Sequence, residues 1–398
     1  MAPIRGVLAA RITGRSTRPF CQHDPVVDNV GVLAERLDRA GVGSDVVRRH
    51  RLVPAAALVA VLVLAGAACS SDGEDDAGGP TTTAAGDATS TTAGGGAGDS
   101  TTTTAAGGVT SVLDAACDGL LERPETVRLD VPQLVEASGL AVSRANEGVL
   151  WAHNDSGDSA RVFAFGEDGG RLGTFKLVGA EAVDWEDMAL GPDVDDEGNA
   201  VDDRDALYLA DIGDNDAVRS NVTLYRVSEP EVAAGAAVGR VRLDDVEAYP
   251  FVYPDGPRDA EALFIDPTDA SFYVIEKSLS GGPVGVYRGS IEGWNADAAA
   301  MPTLERVGTF RAGPSIAAAV TGADMTPAGD AIAVRTYASV RLFDRPEGTS
   351  VVDALAGRPC RGPVPIEAQG EAVAFTPAGD AYLTLPEGAI PTLSRWAP

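Results

Sequence analysis

The chain has 398 residues and a formal charge of −28, with 31 Lys and Arg against 59 Asp and Glu and only 3 His. So acidic a chain has no electrostatic footing on a phosphate backbone, which excludes nucleic acid as a natural partner, and three histidines cannot furnish both a His-rich metal site and an acid–base pair. The charge is unevenly spread: residues 1–51 carry nine Arg against five acids, residues 52–68 carry none, and the remainder stands at 22 − 54 = −32.

That split predicts an export signal. Arg48, Arg49 and Arg51 stand directly before the uncharged run 52–68, and Cys69 follows; a basic flank, a short apolar run and small residues before a cut describe a secretory signal. Gly66-Ala67-Ala68-Cys69 resembles a bacterial lipobox. The resemblance implies a lipoprotein signal over 46–69 with Cys69 lipidated. The alternative is an uncleaved anchor, although 17 residues is at the lower edge for a span. Both readings tether the chain extracytoplasmically, at the outer face of the cell membrane. Residues 1–45 are out of place ahead of such a signal, which fits translation starting near Val46 or Val47. Residues 70–109 are almost wholly Thr, Ala, Gly, Ser and Asp. They cannot bury enough surface to offset ordering entropy and are expected to form a disordered linker.

The folded domain is expected over 110–398, where one grammar recurs five times: SGLAVSRANEGVLWAHND (138–155), EDMALGP…ALYLADIGDN (186–215), EALFIDPTDASFYVIEK (261–277), TGADMTPAGDAIAVRTY (321–337) and EAVAFTPAGDAYLTLPE (371–387). Thr326-Pro327-Ala328-Gly329-Asp330-Ala331 returns as Thr376-Pro377-Ala378-Gly379-Asp380-Ala381. Each copy alternates with period 2 and is broken by Pro, Gly and Asp turns, and helical periodicity is confined to short stretches such as 112–121. Four-stranded units at this interval predict an all-β fold, a β-propeller of five blades. A sixth blade is the alternative, if the long interval between the second and third copies conceals one. The last copy ends at Pro398 with no fourth strand, so Thr126–Leu129 is expected to close the ring. Cys117 then precedes the closing strand and Cys360 lies in the outer region of blade four, which predicts a disulfide between them in an oxidising compartment.

In such blades the entry to strand one and the exit of strand two share a face. Ser138, Glu186, Glu261, Thr321 and Glu371 fall at the entries. Asn154 and Asp155, Asp211, Glu276, Arg335 and Glu387 fall at the exits, with Asp184, Asp214, Asn215 and Asp259 adjoining. Three glutamates on one narrow ring repel unless a cation sits among them. Oxygen donors without His or Cys suit Ca²⁺ or Mg²⁺. The expected metal set is Glu186, Glu261, Glu371, Asp211 and Asn154, and the expected ligand-binding set is Asp155, Asp184, Asp214, Asn215, Asp259, Glu276 and Arg335. The alternative is that these residues only stitch one blade to the next.

The run from Asp259 through Glu261, Phe272 and Glu276 to Arg288 resembles blades of phytase-like propellers. HNDSGD (153–158), DWEDMAL (184–190) and DIGDN (211–215) are similar to a group of actinobacterial propeller lipoproteins. The resemblance implies a calcium-bearing channel mouth and phosphoester hydrolysis, with Glu261 and Glu276 at the acidic positions. Against it, the chain has only two lysines, Lys176 and Lys277, with Arg219, Arg258 and Arg335 as further cations for phosphate. Lactonase-type propellers also hold one divalent ion with Glu, Asn and Asp, a match of residue type alone to Glu186, Asn154 and Asp211. His153 reads as a buried, hydrogen-bonded residue rather than a base. The acidic hairpin opening at Asp193 reads as solvated, because Arg204 stands where a calcium loop closes with Glu. The function expected is a tethered, monomeric binding module whose acidic mouth takes Ca²⁺ and a small polar ligand. The alternatives are a metal-dependent hydrolase of phosphoesters or lactones and a protein-interaction platform.

Overall fold

The computed structural model describes residues 111–195, 200–232, 239–290 and 301–398. The expected export signal, Cys69 and the linker lie outside the described residues. Among those described, no helix is long and apolar enough to cross a membrane.

The chain builds a five-bladed β-propeller. A short helix α1 (Val112–Cys117) and strand β1 (Glu125–Arg128) precede blade one, which is β2 (Ala137–Val142), β3 (Val149–Asn154), β4 (Arg161–Gly166) and β5 (Arg171–Leu177). Then follow β6 (Trp185–Val194), β7 (Ala200–Asp211), β8 (Val222–Ser228), β9 (Gly239–Leu243) and β10 (Glu247–Phe251). Blade three is β11 (Ala260–Asp266), β12 (Ser271–Glu276), β13 (Gly282–Ser290) and β14 (Glu305–Gly313). Blade four is β15 (Val320–Met325), β16 (Ala331–Thr336), β17 (Ser339–Asp344) and, after helix α2 (Val351–Ala356), β18 (Cys360–Gly362). Blade five is β19 (Gly370–Phe375), β20 (Tyr382–Pro386), β21 (Thr392–Trp396) and, antiparallel on β21, β1. The innermost strands β2, β6, β11, β15 and β19 touch in cyclic order, so the expected closing strand completes the ring.

Strand alternation explains the packing. Along β12, Phe272 and Val274 face blade two while Tyr273 and Ile275 face blade four. Each blade is thus apolar on both faces, and the five junctions each hold one core. The repeated Thr-Pro-Ala-Gly-Asp-Ala forms the same turn twice: the Thr326 and Thr376 hydroxyls each donate to the Asp four residues on at 2.6 Å, and Gly329 and Gly379 take φ of 71° and 66°.

Among the described residues, the long interval holds no sixth blade. β9 adds to the outer edge of blade one, parallel to β5, and the chain then returns to give blade two its outer strand β10 on β8. A parallel addition in a meander has no local signature, and only the extra length was visible.

Cys117 and Cys360 form a disulfide, with Cα atoms 4.8 Å apart across 243 residues of sequence. It ties α1 to the outer strand of blade four, where Val112, Leu113, Ala115 and Ala116 pack into the junction of blades four and five. Cys117→Ser with Cys360→Ser is expected to lower unfolding stability by about 2–4 kcal/mol, measured by urea unfolding. An unchanged midpoint would refute a stabilising role.

Candidate metal centre

One irregularity recurs in every blade. Pairing of the innermost strand with its neighbour skips register between Ala137 and Leu140, Trp185 and Asp187, Ala260 and Ala262, Val320 and Gly322, and Gly370 and Ala372. The residues left out of the ladder include Ser138, Glu186, Glu261, Thr321 and Glu371, the five entry positions. A bulge re-aims a side chain without ending the strand.

The five do not act alike. Ser138 donates to the Glu186 carbonyl, and Thr321 donates to the Gly370 carbonyl at 2.8 Å. These two stitch blades together. The three glutamates instead point their carboxylates inward, at 3–6% exposure.

Two groups of carboxylate oxygens converge, each within 4.8 Å: Asp155, Asp184 and Glu186, and Glu186, Asp259 and Glu261. Glu186 is common to both, and the members come from blades one, two and three. Gly213 makes the space, since a Cβ there would run into the carboxylates of Glu186 and Asp184. The donors are all oxygen and their separation fits one shared ion, because two ligands on Ca²⁺ at 2.3–2.6 Å lie at most roughly 5 Å apart. These buried acidic groups can hold a metal ion.

Burial raises all of these acids, and neighbouring charge adds to it. Asp155 is pushed up to about 6, with Glu387 and Glu136 adding repulsion. Asp184 reaches about 7 through burial and then Asp155 and Asp259. Glu186 and Glu261 are held well above the carboxylate range by burial, then by Glu261 and Glu371 respectively among like charges. Asp259 is raised by burial as well.

The protein also places a cation of its own among the glutamates. Lys277, which follows β12, pairs with Glu261 and stands over the Tyr337 ring at 5.3 Å. Burial works against its ammonium, yet Glu261, Tyr337, Glu186 and Glu371 together push its pKa up. Glu371 shares that charge, and burial still brings it up to about 7. It is not part of either oxygen group.

Other expected ligands lie elsewhere. The Asn154 carboxamide is filled by its own blade, accepting from Val135 and Glu136 and donating to the Gln133 carbonyl and Asp158. Asp211 accepts from the Val183 and Asp184 amides and pairs with Arg219 at 2.7 Å. Both hold the loops that carry the cluster. Asp214 accepts from the Val218 and Arg219 amides, Glu276 accepts from Gly285, and Asn215 is exposed at the rim. Arg335 is fully buried against Gly370 and pairs with Glu367.

No family model and no curated protein matches the chain.

Two groups escaped sequence reasoning. Asp187, beside Glu186, is fully buried on the propeller axis. It accepts from Met188 at 2.8 Å and from Leu263 and Ala323, in blades three and four, at 2.9 Å each. Asp324 does likewise with Met325 and with Phe375 of blade five. Asp187 directly follows the entry residue Glu186 and Asp324 stands three after Thr321, relations unreadable without the bulge. His153 is buried as expected, edge-on to Trp185, and burial lowers it to about 4. The Asp193 hairpin differs from expectation: Asp193 is fully buried and pairs with Arg226 and Arg204. Arg204, at the position where a calcium loop would close with Glu, instead neutralises the acid that opens the hairpin.

Proposed function

We propose that the protein is a membrane-tethered extracytoplasmic binding module whose propeller mouth takes one Ca²⁺ ion and, through it, a small polar ligand. The observation that carries this reading is the sharing of Glu186 between two groups of carboxylates drawn from three blades. The three carboxylates of either group leave part of a six- to eight-fold oxygen shell for water or ligand. The cations near the mouth that phosphoester hydrolysis would direct at phosphate are already paired: Lys277 with Glu261, Arg335 with Glu367, Arg219 with Asp211 and Arg258 with Asp255. Binding is therefore favoured over hydrolysis.

The test is calorimetric. Metal must displace protons from groups that hold them at the working pH. Asp155 and Asp184, raised to about 6 and about 7, keep protons that ordinary carboxylates have lost. Ca²⁺ binding near about pH 6 should then release protons from these two, their share should fade by about pH 8, and affinity should rise across that window. Glu186→Gln should weaken binding by about 100-fold or more, since even outer-shell changes cost 10–100-fold. Heat that neither depends on buffer ionisation nor responds to Glu186→Gln would refute the site.

A further inference from the structure

In blade four, β17 and β18 pair with Arg341 directly opposite Arg361. Val340 and Leu342 pack toward blade five, so the two arginines share the face turned to blade three. Side chains so placed have Cβ atoms about 5 Å apart, and like charges there destabilise a sheet. The chain carries 59 acidic residues, yet among the described residues none pairs with either arginine. Arg341 lies over the Phe310 ring at 5.5 Å. It donates Nη1 to the Arg311 carbonyl at 2.6 Å and Nη2 to the Ala312 carbonyl. Two of its five N–H donors are thereby used and three are left. Its charge is thus fixed in place with no carboxylate beside it, and burial followed by Arg361 lowers its pKa. Arg361 is exposed. Both arginines line a cavity of about 330 Å³, together with Ser315, Ala317, Ala318, Ala338 and Pro359, and no acid lines it. Small-ligand pockets begin at about this size.

We infer that this cavity binds a small organic anion, with its oxyanion head, a carboxylate or a phosphate, on Arg341 and Arg361 and its apolar body on the alanines and Pro359. An oxyanion there cancels a repulsion that the fold itself leaves unanswered, and guanidinium forks match its oxygens. The net charge of −28 keeps an anionic bilayer away, which leaves a soluble ligand. The site lies on the flank of blade four and uses none of the carboxylates at the mouth. The inference goes beyond the cation reading and does not depend on it.

Acetate with benzoate, and inorganic phosphate with phenyl phosphate, titrated separately into the purified protein in buffer stripped of divalent cations, test it. At least one pair is expected to bind, with its aromatic member the tighter, and the tighter pair names the head group. Arg361→Gln should lower the affinity of the tightest probe by about tenfold or more, the worth of a hydrogen bond to a charged group. Arg361→Glu sets an acid opposite Arg341, so it should abolish binding and raise the Tm measured without anion. No binding of any probe, no preference for the aromatic member, equal affinity in Arg361→Gln, or a Tm for Arg361→Glu no higher than that of the wild type would each overturn the inference. A failed cation site leaves these outcomes untouched, since no divalent cation is present.

Discussion

Asp187→Ala is expected to remove about 3–5 kcal/mol of stability, since three backbone amides lose one acceptor and each buried orphan costs about 1–3 kcal/mol. The carboxylate joins Met188, Leu263 and Ala323, so it fastens blade two to blades three and four at the axis. Burial pushes its pKa well up, and those same donors pull against the rise. Asp187→Asn keeps one acceptor oxygen for two of the amides but turns an NH₂ toward the third, and should cost about 1–3 kcal/mol. Urea unfolding reads both, as a shift in midpoint at constant slope. An alanine variant within about 0.5 kcal/mol of the wild type, the scatter of ordinary surface changes, would show that the axis does not depend on this residue.

Lys277→Met should be nearly as damaging at alkaline pH. Removing one partner of a buried pair leaves an uncompensated charge and costs about 3–5 kcal/mol. Here the ammonium answers Glu261 first and Glu186 and Glu371 after it. The loss should depend on pH in a definite direction. Carboxyls whose pKa is raised by folding hold protons that the unfolded chain has released, so stability falls as pH rises between the two values. Glu371 already sits at about 7, and loss of Lys277 raises it further. The variant should therefore approach wild-type stability near about pH 5 and fall away by about pH 8. Adding Glu261→Gln to Lys277→Met should recover much of the loss, because deleting both partners is far milder than deleting one. A deficit equal at both pH values would mean that Lys277 matters for packing over Tyr337 rather than for charge.

The repeat made the architecture legible. Five copies of one strand–turn–strand grammar fixed the blades, the closing strand and the Cys117–Cys360 pair, because each depends on order along the chain. The entry positions were legible for the same reason. What each does there was not, since Ser138 and Thr321 differ from the glutamates by what stands across the junction, a long-range fact. Lys277 was visible only as a candidate for phosphate; its parity after Glu276 gives no hint that it turns to the axis. Asn154 and Asp211 were assigned by residue type, and residue type does not reveal that local amides have already filled them. Asp187 was hidden by the bulge, which shifts the inward-facing position by one residue.

The parallel pairing of β9 with β5 has a mechanical consequence. Blade two's own chain passes over to blade one for five residue pairs before returning, and the Val178 amide adds a bond to the Leu243 carbonyl at 2.9 Å. Blades one and two are strapped, so neither can part from the other without breaking a ladder. Blades two and three carry a shorter tie of the same kind, a parallel bridge between Val252 and Thr303 in which the Leu304 amide donates to the Val252 carbonyl at 2.9 Å. The Asp155–Asp184–Glu186 group straddles the first of these ties, and Asp259 and Glu261 face it across the second. Both halves of the cluster thus sit on blades that backbone hydrogen bonds tie together at their outer strands.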